Sequence, residues 1–241
     1  MECLDLIAVP VMVQGEKLVR HFKTIDVPLK RYYILDNSMG INPSVDEAID
    51  WICDNKPEHI QEIAVVSNNQ NSGYPGAVNQ IIRDNTDCDH WIVTGFDWWV
   101  AKDQYKKLLN KDLKEGAFLG QGMDDMCGFV FTPSLIEKVG LLDENFFPGY
   151  FEDNDYKRRI LLANADVIHC PLVNTHDRSS TLNSSSRFKK KNQYTFQQNY
   201  MYYVEKWGGK PGQEKYATPF NKGFPVNYWL FNPTRREELR W

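Results

Sequence analysis

Three acids fall within four residues in the segment Gly149-Tyr150-Phe151-Glu152-Asp153-Asn154-Asp155-Tyr156-Lys157-Arg158-Arg159. They follow an aromatic stretch, Phe146-Phe147-Pro148, and open an apparent helix. An ordinary helix start uses one or two acids to satisfy orphan amides and the dipole. A third leaves carboxylate to spare, for a general base and for bound cations or sugar hydroxyls. The alternative is an acidic N-cap and nothing more.

Other polar clusters stand at the ends of apolar runs. Asp36-Asn37-Ser38 precedes a turn containing Gly40. Its carboxylate can accept from a base imide or a ribose hydroxyl, or it can simply cap the turn. Trp91-Ile92-Val93-Thr94-Gly95-Phe96-Asp97-Trp98-Trp99 ends in an acid, the placement that a hard divalent cation bridging phosphates needs. Trp98 and Trp99 offer a stacking platform for a sugar or base, or else complete a core. His176, beside Asp177, is a candidate for metal or phosphate contact, weighed against the usual structural histidine. Asn71-Ser72-Gly73-Tyr74-Pro75-Gly76-Ala77-Val78-Asn79 opens a helix with two glycines, whose exposed amides would suit an anion. The glycine spacing matches neither the dinucleotide fingerprint nor the P-loop, and both are excluded.

The elements that must position these groups alternate in type. Leu4–Val13, Tyr32–Leu35, Ile63–Val66 and His90–Thr94 read as strands, and Val45–Cys53 and Ala77–Ile82 as helices, with Ser44 as an N-cap. Such alternation, with polar loops after strands, predicts a mostly parallel sheet covered on both faces. Ligands of such sheets bind outside the carboxyl ends of the strands, where these loops converge. Beyond residue 116, Ala117–Leu119, Phe129–Phe131 and Asp166–Cys170 read as strands. Pro133–Val139 reads as a helix capped by Thr132, and Glu152–Ala163 as a longer one. Lys189–Trp207 reads as an aromatic-rich helix stopped by Gly208-Gly209, and Asn183–Ser186 as a mobile loop.

Composition bounds the class. With 241 residues, 42% of them hydrophobic, the chain can build one large domain with an appended tail. No apolar run approaches the roughly 18 residues of a membrane span, and the N-terminus lacks the pattern of a signal peptide. Five scattered cysteines without a Cys-x-x-Cys pair read as reduced thiols, hence a cytoplasmic setting. The net charge of −4 hides an asymmetry. Residues 187–241 hold 11 Lys/Arg and 4 Asp/Glu, a balance of +7, so residues 1–186 hold 17 and 28, a balance of −11. The basic, aromatic-rich tail could meet an anionic donor, nucleic acid or a membrane surface, or pack on the acidic body.

Taken in order, the motifs resemble the inverting glycosyltransferases of family 2, especially the rhamnosyltransferase-like branch. The set is Asp36-Asn37-Ser38, Asn71-x-Gly73 with Asn79, Asp97, Gly140-Leu141-Leu142-Asp143-Glu144-x-Phe146-Phe147, Glu152-Asp153-x-Asp155 with Arg159, and His176. The resemblance covers residues 4–181. It implies an A-type glycosyltransferase fold, α/β with a mostly parallel nucleotide-binding sheet. It also implies transfer of a sugar from a nucleoside diphosphate sugar to a hydroxyl acceptor such as a glycan. On this resemblance Asp153 is the general base with Glu152 beside it. Pro10, Asp36, Asn37, Asn71, Gly73, Asn79, Gly95 and Phe96 line the donor pocket. Asp97 and His176 serve a divalent cation, Mn²⁺ or Mg²⁺, and Trp98, Trp99 and Asp155 face the acceptor. The family's metal motif carries two acids, whereas here Gly95 or Thr94 stands at the first position, which leaves a single-acid variant. Two tail pieces, Lys206-Trp207-Gly208-Gly209 and Thr218-Pro219-Phe220-Asn221, resemble tails of phage and large-virus glycosyltransferases. Residues 187–241 are expected to fold over the acceptor side or to form a dimer interface. The alternatives are a glycosyltransferase acting on nucleic acid and a non-catalytic nucleotide-sugar-binding module.

Overall fold

A computed structural model describes residues 2–122, 126–177 and 185–240. The first half follows the expected alternation, with one further helix, α1 (Gly15–Phe22), not expected from the sequence: β1 (Leu4–Val11), α1, β2 (Leu29–Asp36), α2 (Pro43–Asp54), β3 (Ile60–Ser67), α3 (Gly73–Asp84) and β4 (Trp91–Thr94). Next come β5 (Trp98–Val100), α4 (Lys106–Leu109), β6 (Ala117–Phe118), β7 (Gly128–Phe131), α5 (Pro133–Val139), α6 (Glu152–Leu162), β8 (Ile168–His169) and β9 (Asn174–His176). A long helix, α7 (Ser186–Trp207), a 3₁₀ turn at Pro219–Asn221 and α8 (Pro233–Leu239) complete the described elements.

The strands form a seven-stranded sheet in the order β3-β2-β1-β4-β7-β6-β8. The β1–β2, β2–β3, β1–β4 and β6–β8 pairs are parallel, and only β7 runs against its neighbours. A separate ribbon pairs β5 with β9. Strand residues alternate between the two faces, as the pleat dictates. Leu4, Ile7, Val9 and Val11 of β1 pack with Leu18 and Phe22 of α1 and Val45 and Ile52 of α2. Leu6 and Ala8 face the other way, towards Val78 and Ile81 of α3, Leu135 of α5 and Tyr156 and Ile160 of α6. The near-continuous apolar runs of β1 and β2 are the signature of strands buried on both faces.

Local signals act as expected at several helix ends. The Thr132 Oγ1 accepts from the Leu135 amide at 3.2 Å, and Gly208, at φ 75°, closes α7. Two readings are corrected. Asn42, not Ser44, is the N-cap of α2, because Pro43 supplies the first helical position. Of the Asn183–Ser186 stretch, 183 and 184 lie outside the described residues, while the Ser185 hydroxyl caps α7 by accepting from the Phe188 amide at 3.2 Å. Among the described residues, no helix is long and apolar enough to cross a membrane.

The C-terminal residues share a core with the body. Tyr203 and Trp207 of α7 join Phe146 and Phe151 in a third apolar cluster. Beneath it lies a network of fully buried charges. Lys206 Nζ reaches Asp143 Oδ2 at 2.8 Å and Asp155 Oδ1 at 2.7 Å. Trp207 donates to Asp155 Oδ1 at 2.9 Å, and Arg159 Nε donates to Asp155 Oδ2 at 2.8 Å. The remaining Arg159 bonds go to the Val139 and Leu141 carbonyls at 2.7 and 2.9 Å.

Candidate active site

The parallel strands β1, β2, β3 and β4 all end on one edge of the sheet, and the polar clusters gather there. In register, Val11 pairs with Asp36 and Asp36 with Ser67. The Asp36 Oδ1 accepts from the Ser38 amide at 2.7 Å, a tight turn that holds the carboxylate at the strand end. Pro10 sits one position before the end of β1, half-buried.

The asparagines expected at the donor build loops. The Asn37 Oδ1 accepts from Asn68 Nδ2 at 2.9 Å and Ser72 Oγ at 3.1 Å, tying β2 to the loop before α3. The Asn71 Oδ1 accepts from the Gly73 amide at 2.8 Å. Gly73 lies at φ 70°, and a Cβ there would come within 2.8 Å of Phe147 and 3.0 Å of the Pro148 carbonyl. Only glycine lets this loop meet the segment that leads into the acids. Asn79 is fully buried, and its amide exchanges bonds of 2.8 and 2.9 Å with Leu142. It therefore anchors the Gly140–Glu144 stretch rather than a ligand. Phe96, expected at the donor, belongs instead to the core beside β1.

Asp97 and His176 do meet. The β5–β9 ribbon pairs Trp98 with His176, and the Asp177 amide donates to the Asp97 carbonyl at 2.9 Å. That register brings His176 Nε2 to 3.7 Å from Asp97 Oδ1. A Cβ on Gly95 would lie 3.0 Å from Asp97 Oδ1, so the Asp97 side chain occupies the space that a preceding acid would take. Lys17 of α1 ion-pairs with Asp177, and this contact holds the Asp177 carboxyl below its ordinary range. Lys17 was missed in the sequence because α1 left no pattern distinct from the loop after β1.

Trp98, Trp99 and Asp155 are corrections. Trp98 is fully buried, and Trp99 donates its indole N–H to the Lys17 carbonyl at 3.2 Å with the Arg20 guanidinium 3.9 Å over its ring. Both finish a core. Asp155 is sealed in the Lys206 network. Burial alone would push its carboxyl up, but Lys206 and Arg159 outweigh that and hold it below its ordinary value.

The other two acids remain at the edge. Asp153 is half-buried, and its Oδ1 accepts from the Asn154 amide at 2.7 Å. It also borders a cavity of about 560 Å³ that runs along α6 between Lys157, Arg158, Leu161, Pro211 and Glu214, a space that Asp36, Asn71, Asp97 and His176 do not line. Glu152 faces inward near Gly149 and Tyr74, with its Oε2 buried and unpartnered. Burial, reinforced by the Asp153 charge, holds its carboxyl well above the usual range. The folded state thus binds a proton that the unfolded chain, with a value of about 4.3, releases. Its contribution to stability is complete below that pH and is lost as pH rises towards the folded value. Glu152→Gln cannot ionise, so it is expected to melt above the wild type at pH 8, with the gap closing towards pH 4. Equal melting temperatures across that range would contradict the burial argument.

The C-terminal helix reaches this edge too. Arg236 donates to the Ser72 carbonyl at 2.7 Å, and Arg240 to Gln70 Oε1 at 2.7 Å. The extension therefore touches the donor-side loop as well as α6.

No protein-family model and no curated protein matches the sequence. Solved structures do match its shape. Residues 1–349 of S. aureus TarS superpose with a TM-score of 0.50 at 10% identity, over 82% of this chain and 72% of that one. The same TarS fragment in complex with UDP-GlcNAc matches at 0.50 and 10%, over 73% and 56%. GalNAc-T7 with UDP, GalNAc and Mn²⁺ matches at 0.54 and 11%, over 85% of this chain and 48% of that one. The chain thus has the A-type glycosyltransferase fold.

Proposed function

We propose that the chain is an inverting glycosyltransferase that moves a sugar from a nucleoside diphosphate sugar to a hydroxyl of a glycan or related acceptor. One observation carries the reading. The Asp36 turn, the Asn71–Gly73 loop, the Asp97–His176 pair and the Glu152–Asp153 acids share one sheet edge, where such folds bind ligands. The fold neighbours in complex with UDP-GlcNAc, and with UDP, GalNAc and Mn²⁺, support a nucleotide-sugar donor.

Each group has a role in this reading. Asp36 receives a donor from the nucleoside, and the Asn71–Gly73 loop walls the pocket. Asp153 accepts the acceptor's hydroxyl proton as the oxygen bonds to the anomeric carbon. The bond from that carbon to the diphosphate breaks, and the electron pair leaves with the diphosphate. Inversion in this reading requires the base and the leaving group to lie on opposite sides of the sugar.

A divalent cation fits the residues present. A carboxylate and an imidazole 3.7 Å apart offer two ligand atoms to one ion. Among the described residues no group of three or more acids, histidines and cysteines forms a fuller cage. Asp97 and His176 would hold the ion, and diphosphate oxygens would complete its shell. When bound, it supplies charge neutralisation to the departing diphosphate. EDTA is expected to lower turnover at least about tenfold, with recovery on adding Mn²⁺ or Mg²⁺, since a bound ion is worth several kcal/mol to such charge. Full activity in EDTA would remove the cation from the reading. The test of the function itself is release of nucleoside diphosphate from a panel of nucleotide sugars, with and without glycan acceptors.

A further inference from the structure

The backbone just before the acids is held in an unusual state. Tyr150 and Phe151 are consecutive non-glycine residues at φ 75° and 69°. Side chains disfavour this left-handed region, and such residues persist only where the surroundings over-determine them. Here the surroundings are clear. Phe151 is buried with Tyr203 and Trp207, and the Asn199 side chain donates to the Phe147 and Gly149 carbonyls at 3.1 and 2.8 Å. The consequence lies at Tyr150. Its ring meets Phe196 of α7 edge-on, with centroids 5.2 Å apart at 73°. Phe196 also packs 5.0 Å from Phe151, yet it remains 44% exposed.

A lone exposed aromatic needs no explanation. This pair differs, because a strained backbone brings Tyr150 onto Phe196 only three residues from Asp153. The rim that α7 gives the pair is mostly amide, with one cation near it, the Arg235 guanidinium, which donates to Asn199 Oδ1 at 2.7 Å. Asn192 and Gln193, four and three residues before Phe196, share its helix face. Lys189, the nearest lysine of that face, stands two turns away, about 10 Å along the axis. An apolar ring face with amides at its edge matches a sugar ring, which has an apolar C–H face and a hydroxyl rim. A nucleic acid would need cations against its phosphates and parallel faces for its bases.

We propose that Tyr150 and Phe196 form an acceptor subsite on which a sugar ring of a neutral glycan stacks, presenting a hydroxyl towards Asp153. The fate of that hydroxyl rests on the glycosyltransferase reading, but the binding does not. The platform replaces the buried Trp98–Trp99 pair as the acceptor surface.

The test is binding of the full chain to an array of neutral oligosaccharides that also carries single-stranded DNA and RNA, with UDP and Mn²⁺ present. The wild type is expected to bind a subset of glycans. Phe196→Ala is expected to bind them at least tenfold more weakly while still unfolding in one cooperative transition, whereas Phe196→Trp and Tyr150→Phe, which keep the rings, bind normally. If the wild type binds no glycan, binds only nucleic acid, or binds as well after Phe196→Ala, the subsite is wrong. If glycans bind through Phe196 yet no nucleotide sugar is turned over in their presence, the subsite stands and the transferase reading falls.

Discussion

Asp153→Asn is expected to lower sugar transfer by at least about 100-fold while the nucleotide sugar still binds with nearly unchanged affinity. A positioned general base contributes typically 10²–10⁴-fold, and an amide of the same shape cannot accept the hydroxyl proton. Three acids stand in the first turn of α6, and the structure distributes them among three environments. Asp155 is consumed by Lys206, Arg159 and Trp207. Glu152 is buried, and that burial holds its carboxyl well above the usual range. Asp153 is the one of the three that is only half-buried. The donor groups lie on other elements, β2 and β5 with its partner β9, so donor affinity should survive the change. Isothermal titration of the donor beside a turnover assay checks both halves. Activity within about tenfold of the wild type would sink Asp153 as the base, because that is less than a general base supplies.

The second large effect concerns folding. Lys206→Met is expected to destabilise the protein by about 3–5 kcal/mol, the range for removing one partner of a buried ion pair. Lys206, Asp143 and Asp155 are all fully buried. Without the ammonium, two carboxylates remain in the interior with only Arg159, Trp207, Tyr202 and backbone donors to answer them. For a chain of this size each kcal/mol moves the melting temperature by about 2–4 °C, so a fall of at least about 6 °C should appear. The pH dependence has a definite sign. The Asp155 carboxyl is held below its unfolded value of about 3.9. Its contribution is therefore complete above that pH and is lost as pH falls through the folded value. The deficit of Lys206→Met should be full at neutral pH and shrink in acid. A variant that melts within about 1 °C of the wild type at pH 7 would show that the network contributes little to stability.

Much of the fold was legible because its signals are local. Apolar runs, polar strand ends and the Thr132 cap each sit within a few residues of the structure they specify. Strand alternation was enough to set Asp36 and Asp97 at strand ends on one edge, whereas Glu152, Asp153 and His176 were drawn to that site by the family resemblance. What stayed hidden depends on distant partners. Nothing near Asp155 announces Lys206, 51 residues on, so a buried network member read as an exposed acceptor group. Trp98-Trp99 after an acid looks like a platform, and only β9 and Arg20 turn the pair into core. The short β5–β9 ribbon carries no periodicity long enough to read, and β7 reads as a strand whose reversed direction only its pairing with β4 reveals. Phe196 was one of many aromatics in α7. Its distinction comes from Tyr150, whose backbone strain has no sequence signature.

The most direct measurement is isothermal titration of the wild-type chain with a panel of nucleotide sugars and free nucleoside diphosphates in Mn²⁺. It should be repeated with Asp36→Ala and Asp97→Ala. The account predicts that at least one nucleotide sugar binds with a micromolar to millimolar constant and that each substitution weakens it about tenfold or more, as expected for a lost contact to a charged or hydrogen-bonded group. No binding by any nucleotide, or binding indifferent to both substitutions, would contradict it.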